Sequence, residues 1–229
     1  MSTSRPSRRK ITRHKHLTYF RLEKALAEEG CPICRLTDAA VVSFYEAFLY
    51  EKVNDRGLRS QFNADDGVCN RHLYALLDRH DGLAIAVMYR PLLERIVEAV
   101  ASRAEIPTNA GKCLFCGVER EAEERYLAEL STFLTDEDLR TSFEGSEGLC
   151  APHYEQARRN HAELPDWFVD FHNAKYSMLL DGVKRYIDAM NWSLGDARPG
   201  LTPEEERVWM RVVALAGGYR GMPPHSKKA

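Results

Sequence analysis

The sequence lacks several features that would assign a chain to a large class of proteins at once. It has no run of about 18 apolar residues, so it contains no predicted membrane-spanning helix. Its basic beginning is not followed by the short apolar segment of a secretory signal. No stretch alternates apolar and polar residues as a half-buried strand does. We therefore expect an all-α protein of the cytoplasm.

Neither sign of charge dominates the whole chain, which has 32 basic and 34 acidic side chains. The balance is uneven along the chain, because residues 1–16 contain six basic side chains and no acid. These are Arg5, Arg8, Arg9, Lys10, Arg13 and Lys15. The rest has 26 basic and 34 acidic side chains, a formal charge of −8, which argues against a broad basic face for nucleic acid. Nucleic-acid binding stays an alternative only through phosphate contacts of this basic arm, and such contacts weaken with salt.

The motifs of the common catalytic sites are also missing. The sequence has no Gly-rich phosphate loop, no Ser/His/Asp arrangement, no His-Glu-x-x-His and no dinucleotide fingerprint. We predict no catalytic residue, and a non-catalytic protein is favoured.

What the sequence does have is one pattern that occurs twice and uses all six cysteines. A Cys-x-x-Cys pair is followed, after a spacer of 34 residues in the first copy and 33 in the second, by Cys-x-x-His. The eight side chains are Cys31, Cys34, Cys69, His72, Cys113, Cys116, Cys150 and His153. Three thiolates and one imidazole are the ligands of a closed tetrahedral zinc site, so we predict two zinc ions. An iron–sulfur cluster with one His ligand is the alternative metal group.

Other interpretations of the cysteines explain less. Disulfides would leave the repeated His72 and His153 without a role. Cys31-Pro32-Ile33-Cys34 also resembles the motif of thiol–disulfide exchangers, but no βαβ pattern surrounds it and the second copy has Leu114 in place of the proline. A thiol-based redox or sensor protein therefore stays an alternative function.

The spacing also suggests how the metal sites are built. We expect each set of four ligands to close within its own copy, because the spacer fits a helical hairpin that returns to its start. Helices are expected to begin just after each half-motif, so that their positive N-terminal ends face the thiolates. Gly117 is expected in a left-handed turn that points backbone N–H groups at sulfur.

The two copies match beyond their ligands at a constant offset of 81 residues. The matching pairs include Tyr45 and Tyr126, Leu49 and Leu130, Asp55 and Asp136, Phe62 and Phe143, Gly67 and Gly148, and His80 and His161. This similarity predicts an internal duplication of one helical unit about a pseudo-twofold axis. The expected organisation is a disordered basic arm over 1–14, a first repeat over 15–104, a second over 105–165, C-terminal helices over 166–221 and a tail over 222–229.

The duplicated pattern, together with a C-terminal Trp-containing helix that ends in Gly217-Gly218, resembles an uncharacterised bacterial family with a domain of unknown function. The likeness runs from about Leu17 to Gly221. The resemblance implies a bacterial source and a helical Cys/His-rich domain, and it brings no activity with it. We expect a non-catalytic zinc-binding module with two structural sites that serves a protein or small-molecule partner.

Overall fold

A computed structural model describes residues 14–79, 81–109, 111–160 and 163–218, and over these ranges the chain is helical without any strand. The α-helices of these ranges are α1 (Leu17–Leu26), α2 (Pro32–Tyr50), α3 (Arg56–Ala64), α4 (Asn70–Leu77), α5 (Gly82–Ser102), α6 (Leu114–Phe133), α7 (Glu137–Glu144), α8 (Ala151–Asn160), α9 (Asp166–Met190), α10 (Pro203–Glu206) and α11 (Val208–Gly217). Short 3₁₀ segments follow α2 and α9. The all-α prediction is confirmed, and none of the helices described is long and apolar enough to span a bilayer. The predicted basic arm, apart from its final residue, and the predicted tail lie outside the described residues.

The duplication is visible in the order of the helices. A long helix, two short helices and a second long helix occur as α2–α5 and again as α6–α9. The first short helix of each copy starts at a matching aspartate. Asp55 accepts a hydrogen bond from the backbone N–H of Leu58 at 2.9 Å, and Asp136 accepts one from Leu139 at 3.0 Å. Each carboxylate thus satisfies a free N–H group at a helix start, which fixes where the chain turns.

The long helices α2 and α6 pack against each other in opposite directions. Tyr45, in the second half of α2, stacks on Phe115 at the start of α6, with 4.3 Å between ring centroids. At the other end, Ile33 from the first turn of α2 lies in one buried cluster with Leu127 and Leu130 from the second half of α6. The first turn of each long helix therefore lies beside the far half of the other.

Two buried cores lie at the two ends of this helix pair, and each takes side chains from both copies. One combines α1 and the start of α2 with α6–α9, and the other combines α2–α5 with the start of α6. The C-terminal helices α10 and α11 pack on α9. Neither copy closes a core by itself.

A glycine in the left-handed region precedes each Cys-x-x-His half-motif by two residues. The φ angles are 88° at Gly67 and 78° at Gly148. A Cβ at Gly148 would lie 2.9 Å from Cε1 of Phe171, and one at Gly67 would lie 3.2 Å from Cε1 of Tyr89. Both positions need glycine because of the backbone conformation and because an aromatic ring of the following long helix packs directly on the backbone.

We predict that Gly148→Ala lowers the free energy of unfolding by about 2 kcal/mol or more. A left-handed alanine costs roughly 1–2 kcal/mol, and the ring of Phe171 must also move. The control is Gly82→Ala at the first residue of α5, where a Cβ meets nothing within 4 Å, and this change should be neutral or stabilising by up to about 1 kcal/mol. Urea denaturation of both variants measures the difference, and equal stabilities would contradict the close packing at Gly148.

Candidate metal centres

The eight predicted ligands converge into two groups of four. Quartet A consists of Cys31, Cys34, Cys150 and His153, and quartet B consists of Cys69, His72, Cys113 and Cys116. Within each quartet the ligand atoms all lie within 4.8 Å of one another. Each Cys-x-x-Cys pair therefore meets the Cys-x-x-His pair of the other copy. The prediction that each copy closes its own site is wrong.

The length and direction of α2 explain why half-motifs of different copies meet, an arrangement that we call the exchange between copies. Its 19 residues, at about 1.5 Å each, carry the chain roughly 28 Å from Cys31. The 9 residues of α3 run back at most about 14 Å, so Cys69 does not return to the start of α2. Antiparallel packing instead places the start of α6, with Cys113 and Cys116, at the C-terminal end of α2, where Cys69 lies.

Each half-motif lies at the N-terminus of a helix, but the helix begins directly after the first cysteine and not after the whole half-motif as expected. Cys31, Cys69 and Cys113 are the N-cap residues of α2, α4 and α6, and α8 begins directly after Cys150. Two helix N-termini therefore point at each quartet, and their positive ends stabilise thiolates. The expectation for Gly117 is wrong, because its N–H donates to the Cys113 carbonyl at 3.0 Å within the first turn of α6.

The spacing of the ligand atoms fits one tetrahedral ion in each quartet. In quartet A the sulfurs of Cys34 and Cys150 are 3.7 Å apart, and Nδ1 of His153 lies 3.1–3.4 Å from the three sulfurs. In quartet B the sulfurs of Cys69 and Cys116 are 3.7 Å apart, and Nδ1 of His72 lies 3.1–3.4 Å from its three sulfurs. Tetrahedral zinc, with Zn–S of about 2.3 Å and Zn–N of about 2.0–2.1 Å, has ligand separations of roughly 3.8 and 3.5 Å.

These separations also exclude disulfides. An S–S bond is about 2.05 Å long, and none of the six cysteines forms a disulfide. The residues present therefore suit a metal ion held through Nδ1 of each histidine.

The protonation equilibria of each quartet favour one thiolate, because the pKa is lowered at Cys113 and Cys31 and raised at their hydrogen-bonded neighbours Cys116 and Cys150. Burial opposes the charged form of His72, but the hydrogen bond with Cys113 and the nearby carboxylate of Glu119 prevail and raise its pKa to about 9. The hydrogen bond from the Cys116 thiol is the main cause that lowers the pKa of Cys113 to about 3. Since metal ligands must be deprotonated, an ion entering such a site displaces protons from imidazole and thiol.

Sequence reasoning missed two carboxylates that contact the ligand histidines. Nε2 of His153 donates to Oε1 of Glu123 at 2.6 Å, and Nε2 of His72 lies 3.4 Å from Oε1 of Glu119. Both oxygens of Glu119 also accept hydrogen bonds from the guanidinium of Arg71. Contacts of this kind orient a ligand imidazole and fix its tautomer.

A signal for these carboxylates was present in the sequence, although the duplication concealed it. Glu119 and Glu123 follow Cys116 by three and seven residues, a spacing that keeps them on one helix face with that ligand. The two Cys-x-x-Cys pairs are 82 residues apart, and at this offset the first copy has Thr37 and Val41 at the positions of Glu119 and Glu123. Because neither acid is repeated in the first copy, comparison of the two copies does not identify Glu119 or Glu123 as part of a site.

His172 supports quartet A without being a ligand. Its ring is 1% exposed, Nδ1 donates to the Phe168 carbonyl at 2.7 Å, and Nε2 accepts from the N–H of Leu149 at 3.1 Å. Leu149 directly precedes Cys150, so α9 holds the backbone that delivers this ligand. The matching pair His80 and His161 lies outside the described residues.

A cavity of about 100 Å³ reaches quartet A from the side of the C-terminal helices. Its lining includes Cys31 and Cys150 together with the basic side chains of Lys175 from α9 and Arg211 from α11. Three thiolates with a divalent ion carry a net negative charge, and these two cations lie where they offset it.

Part of the chain matches a family of unknown function. Residues 14–110 match the Family of unknown function (DUF6062). The DUF6062 match covers α1 to α5 and the four ligands of the first copy, and it ends before Cys113. The predicted resemblance to a bacterial family of unknown function is thus confirmed.

A curated relative extends the similarity beyond the first copy. The "Uncharacterized 23.9 kDa protein in xynA 3'region" of Caldicellulosiruptor sp. (strain Rt8B.4) is 25% identical over 198 residues, which cover 83% of this chain and 96% of that protein. No solved structure matches the chain.

His172 gives a prediction for the pH dependence of stability. Burial, its main cause, lowers the pKa of this histidine from 6.5 to about 4. Because the folded-state pKa lies below the unfolded-state value, the unfolded chain binds the proton first, and stability falls as the pH drops from 6.5 toward 4. This one group should account for a loss of about 3 kcal/mol.

Urea denaturation of the wild type and of His172→Phe between pH 7 and pH 4, in constant free zinc, measures this contribution. The variant should be less stable at pH 7, since the N–H of Leu149 loses its partner, and the gap should close as the pH falls. Parallel pH profiles for the two proteins would contradict the assignment of a buried neutral histidine.

Proposed function

We propose that this chain is a non-catalytic zinc protein in which two ions each join the two copies, giving a stable helical module for a protein or small-molecule partner. The observation that carries the proposal is the pairing of half-motifs between copies, with ligand spacings that suit tetrahedral zinc. The ligand type supports zinc, because closed sites of thiolate and imidazole are typical structural zinc sites. The ligand atoms of each quartet lie within 4.8 Å of one another, which suits a single ion better than an iron–sulfur cluster whose ligands bind different irons.

The ligand count supports a structural role. Catalytic zinc sites use three protein ligands and keep the fourth position for water or substrate, whereas each quartet here supplies four. The histidines of both quartets are also almost completely buried. A substrate would have no open coordination position at either ion.

An exposed apolar stripe on α5 supports an interaction role. Leu93, Val97 and Val100 lie at helical spacing and are 59%, 62% and 59% exposed. These three side chains form one exposed apolar stripe along the helix, and an exposed apolar patch on a protein surface favours contact with a partner.

Metal stoichiometry tests both the ion and the exchange between copies. Elemental analysis should find two zinc ions per chain, and Cys34→Ala or Cys116→Ala should lower this to one. The double variant Cys34→Ala/Cys150→Ala removes two ligands of quartet A and should keep one zinc. The double variant Cys34→Ala/Cys69→Ala removes one ligand from each quartet and should keep none.

The two double variants form a matched pair, since each lacks two cysteines. If sites closed within copies, their zinc contents would be reversed. Brown protein that contains iron and sulfide would overturn the assignment of zinc.

Chelation tests the structural role. Removal of both ions with a strong chelator should cause a cooperative loss of far-UV helical signal, because folding and site formation are linked. Added zinc should restore the signal, and magnesium, which prefers oxygen ligands, should not. Native helicity after complete removal of metal would contradict a structural role for the ions.

A further inference from the structure

The two quartets have the same types of ligand but differ in their outer contacts, by which we mean the hydrogen bonds and ion pairs that other side chains make with the ligands. Each histidine presents Nδ1 to three sulfurs and turns Nε2 toward a carboxylate. Both carboxylates belong to α6, although each quartet takes ligands from both copies. The outer contacts thus depart from the symmetry of the duplication, and this departure makes the quartets chemically unequal.

In quartet A the contact is short and buried. The distance of 2.6 Å between Nε2 of His153 and Oε1 of Glu123 is that of a strong, charge-assisted hydrogen bond. The side chain of His153 is fully buried and that of Glu123 is 10% exposed. A carboxylate that accepts from Nε2 in a site of low polarity makes Nδ1 a better electron donor to a metal ion.

In quartet B the corresponding contact is weak. Oε1 of Glu119 lies 3.4 Å from Nε2 of His72, which is beyond the usual hydrogen-bond distance of about 2.7–3.2 Å. The guanidinium of Arg71 binds both carboxylate oxygens of Glu119 and compensates their charge. The imidazole of His72 therefore gains less from its carboxylate than that of His153 does.

The thiols of quartet B are also more exposed to water than those of quartet A. Two of the three cysteines of quartet B, Cys69 and Cys116, are half-buried, whereas in quartet A only Cys31 is. Partial exposure to water weakens the interaction between an ion and its thiolates.

We propose that quartet A binds zinc more tightly than quartet B, and that Glu123 is the positioning residue that creates most of the difference. This inference rests on the proposed function, since it concerns the affinity of the same two sites. Loss of an outer-shell partner typically costs roughly 10–100-fold in metal affinity, so we expect a difference of about tenfold or more between the quartets.

Equilibrium competition with a chromophoric zinc chelator measures the two affinities. The variants Cys116→Ala and Cys34→Ala isolate quartet A and quartet B, respectively. In the first background, Glu123→Gln should weaken zinc binding about tenfold or more. In the second, Glu119→Gln should have a smaller effect, and Glu124→Gln, an exposed carboxylate on the same helix, should change neither affinity.

Two readouts separate a positioning role from a general effect on folding. At equal, saturating free zinc, Glu123→Gln should lose only the stability that weaker zinc binding brings, about 1.4 kcal/mol for each tenfold loss of affinity. The visible spectrum of Co²⁺ in quartet A should shift as the histidine becomes a weaker donor. A much larger loss of stability with an unchanged Co²⁺ spectrum would overturn the role of Glu123.

A second measurement uses the unmodified full-length protein and does not depend on cysteine variants. When chelator has reduced the content to one zinc per chain, alkylation followed by peptide mass spectrometry should modify Cys69, Cys113 and Cys116 and spare the cysteines of quartet A. Equal modification of both quartets, or preferential modification of quartet A, would overturn the inference and leave the proposed function intact. A native protein without zinc would instead refute the proposed function.

Discussion

The antiparallel contact between α2 and α6 is the constraint on which the rest of the structure depends. Each helix starts with Cys-x-x-Cys, and a helix of this length carries the chain too far for the Cys-x-x-His of the same copy to return to that start. The stacking of Tyr45 on Phe115 and the cluster around Ile33 fix how far the two helices overlap. This overlap brings each Cys-x-x-Cys to the Cys-x-x-His of the other copy. The exchanged quartets are thus a consequence of hydrophobic packing between two rods.

Buried charge is balanced locally at both quartets. Two helix N-termini face each set of thiolates, and cationic side chains lie nearby: Arg71 at quartet B, and Lys175 and Arg211 beside quartet A. Groups of this kind are needed because an uncompensated charge in a protein interior is very costly. The same requirement explains the neutral His172, which is buried with both ring nitrogens hydrogen-bonded to backbone.

Duplication and divergence can be distinguished residue by residue. The ligands, the capping aspartates and the left-handed glycines recur in both copies, since each is needed to build one unit. The two carboxylates that face the histidines both lie on α6, and the first copy has Thr37 and Val41 at the positions of Glu119 and Glu123. Because this feature is not repeated, it is the one that we associate with unequal ion binding.

The sequence alone determined the helical class, the duplication and the eight side chains that form the two quartets, because ligand chemistry and the N-cap spacing are local properties of a few adjacent residues. It did not determine which half-motifs meet, since that depends on the relative direction of two helices far apart in the chain. Glu119 and Glu123 looked like ordinary polar residues of a helix, and only packing of α6 against α4 and α8 gives them histidine partners. The general reason is that spacing along a chain fixes local geometry, whereas contacts between elements follow from how their apolar faces fit together.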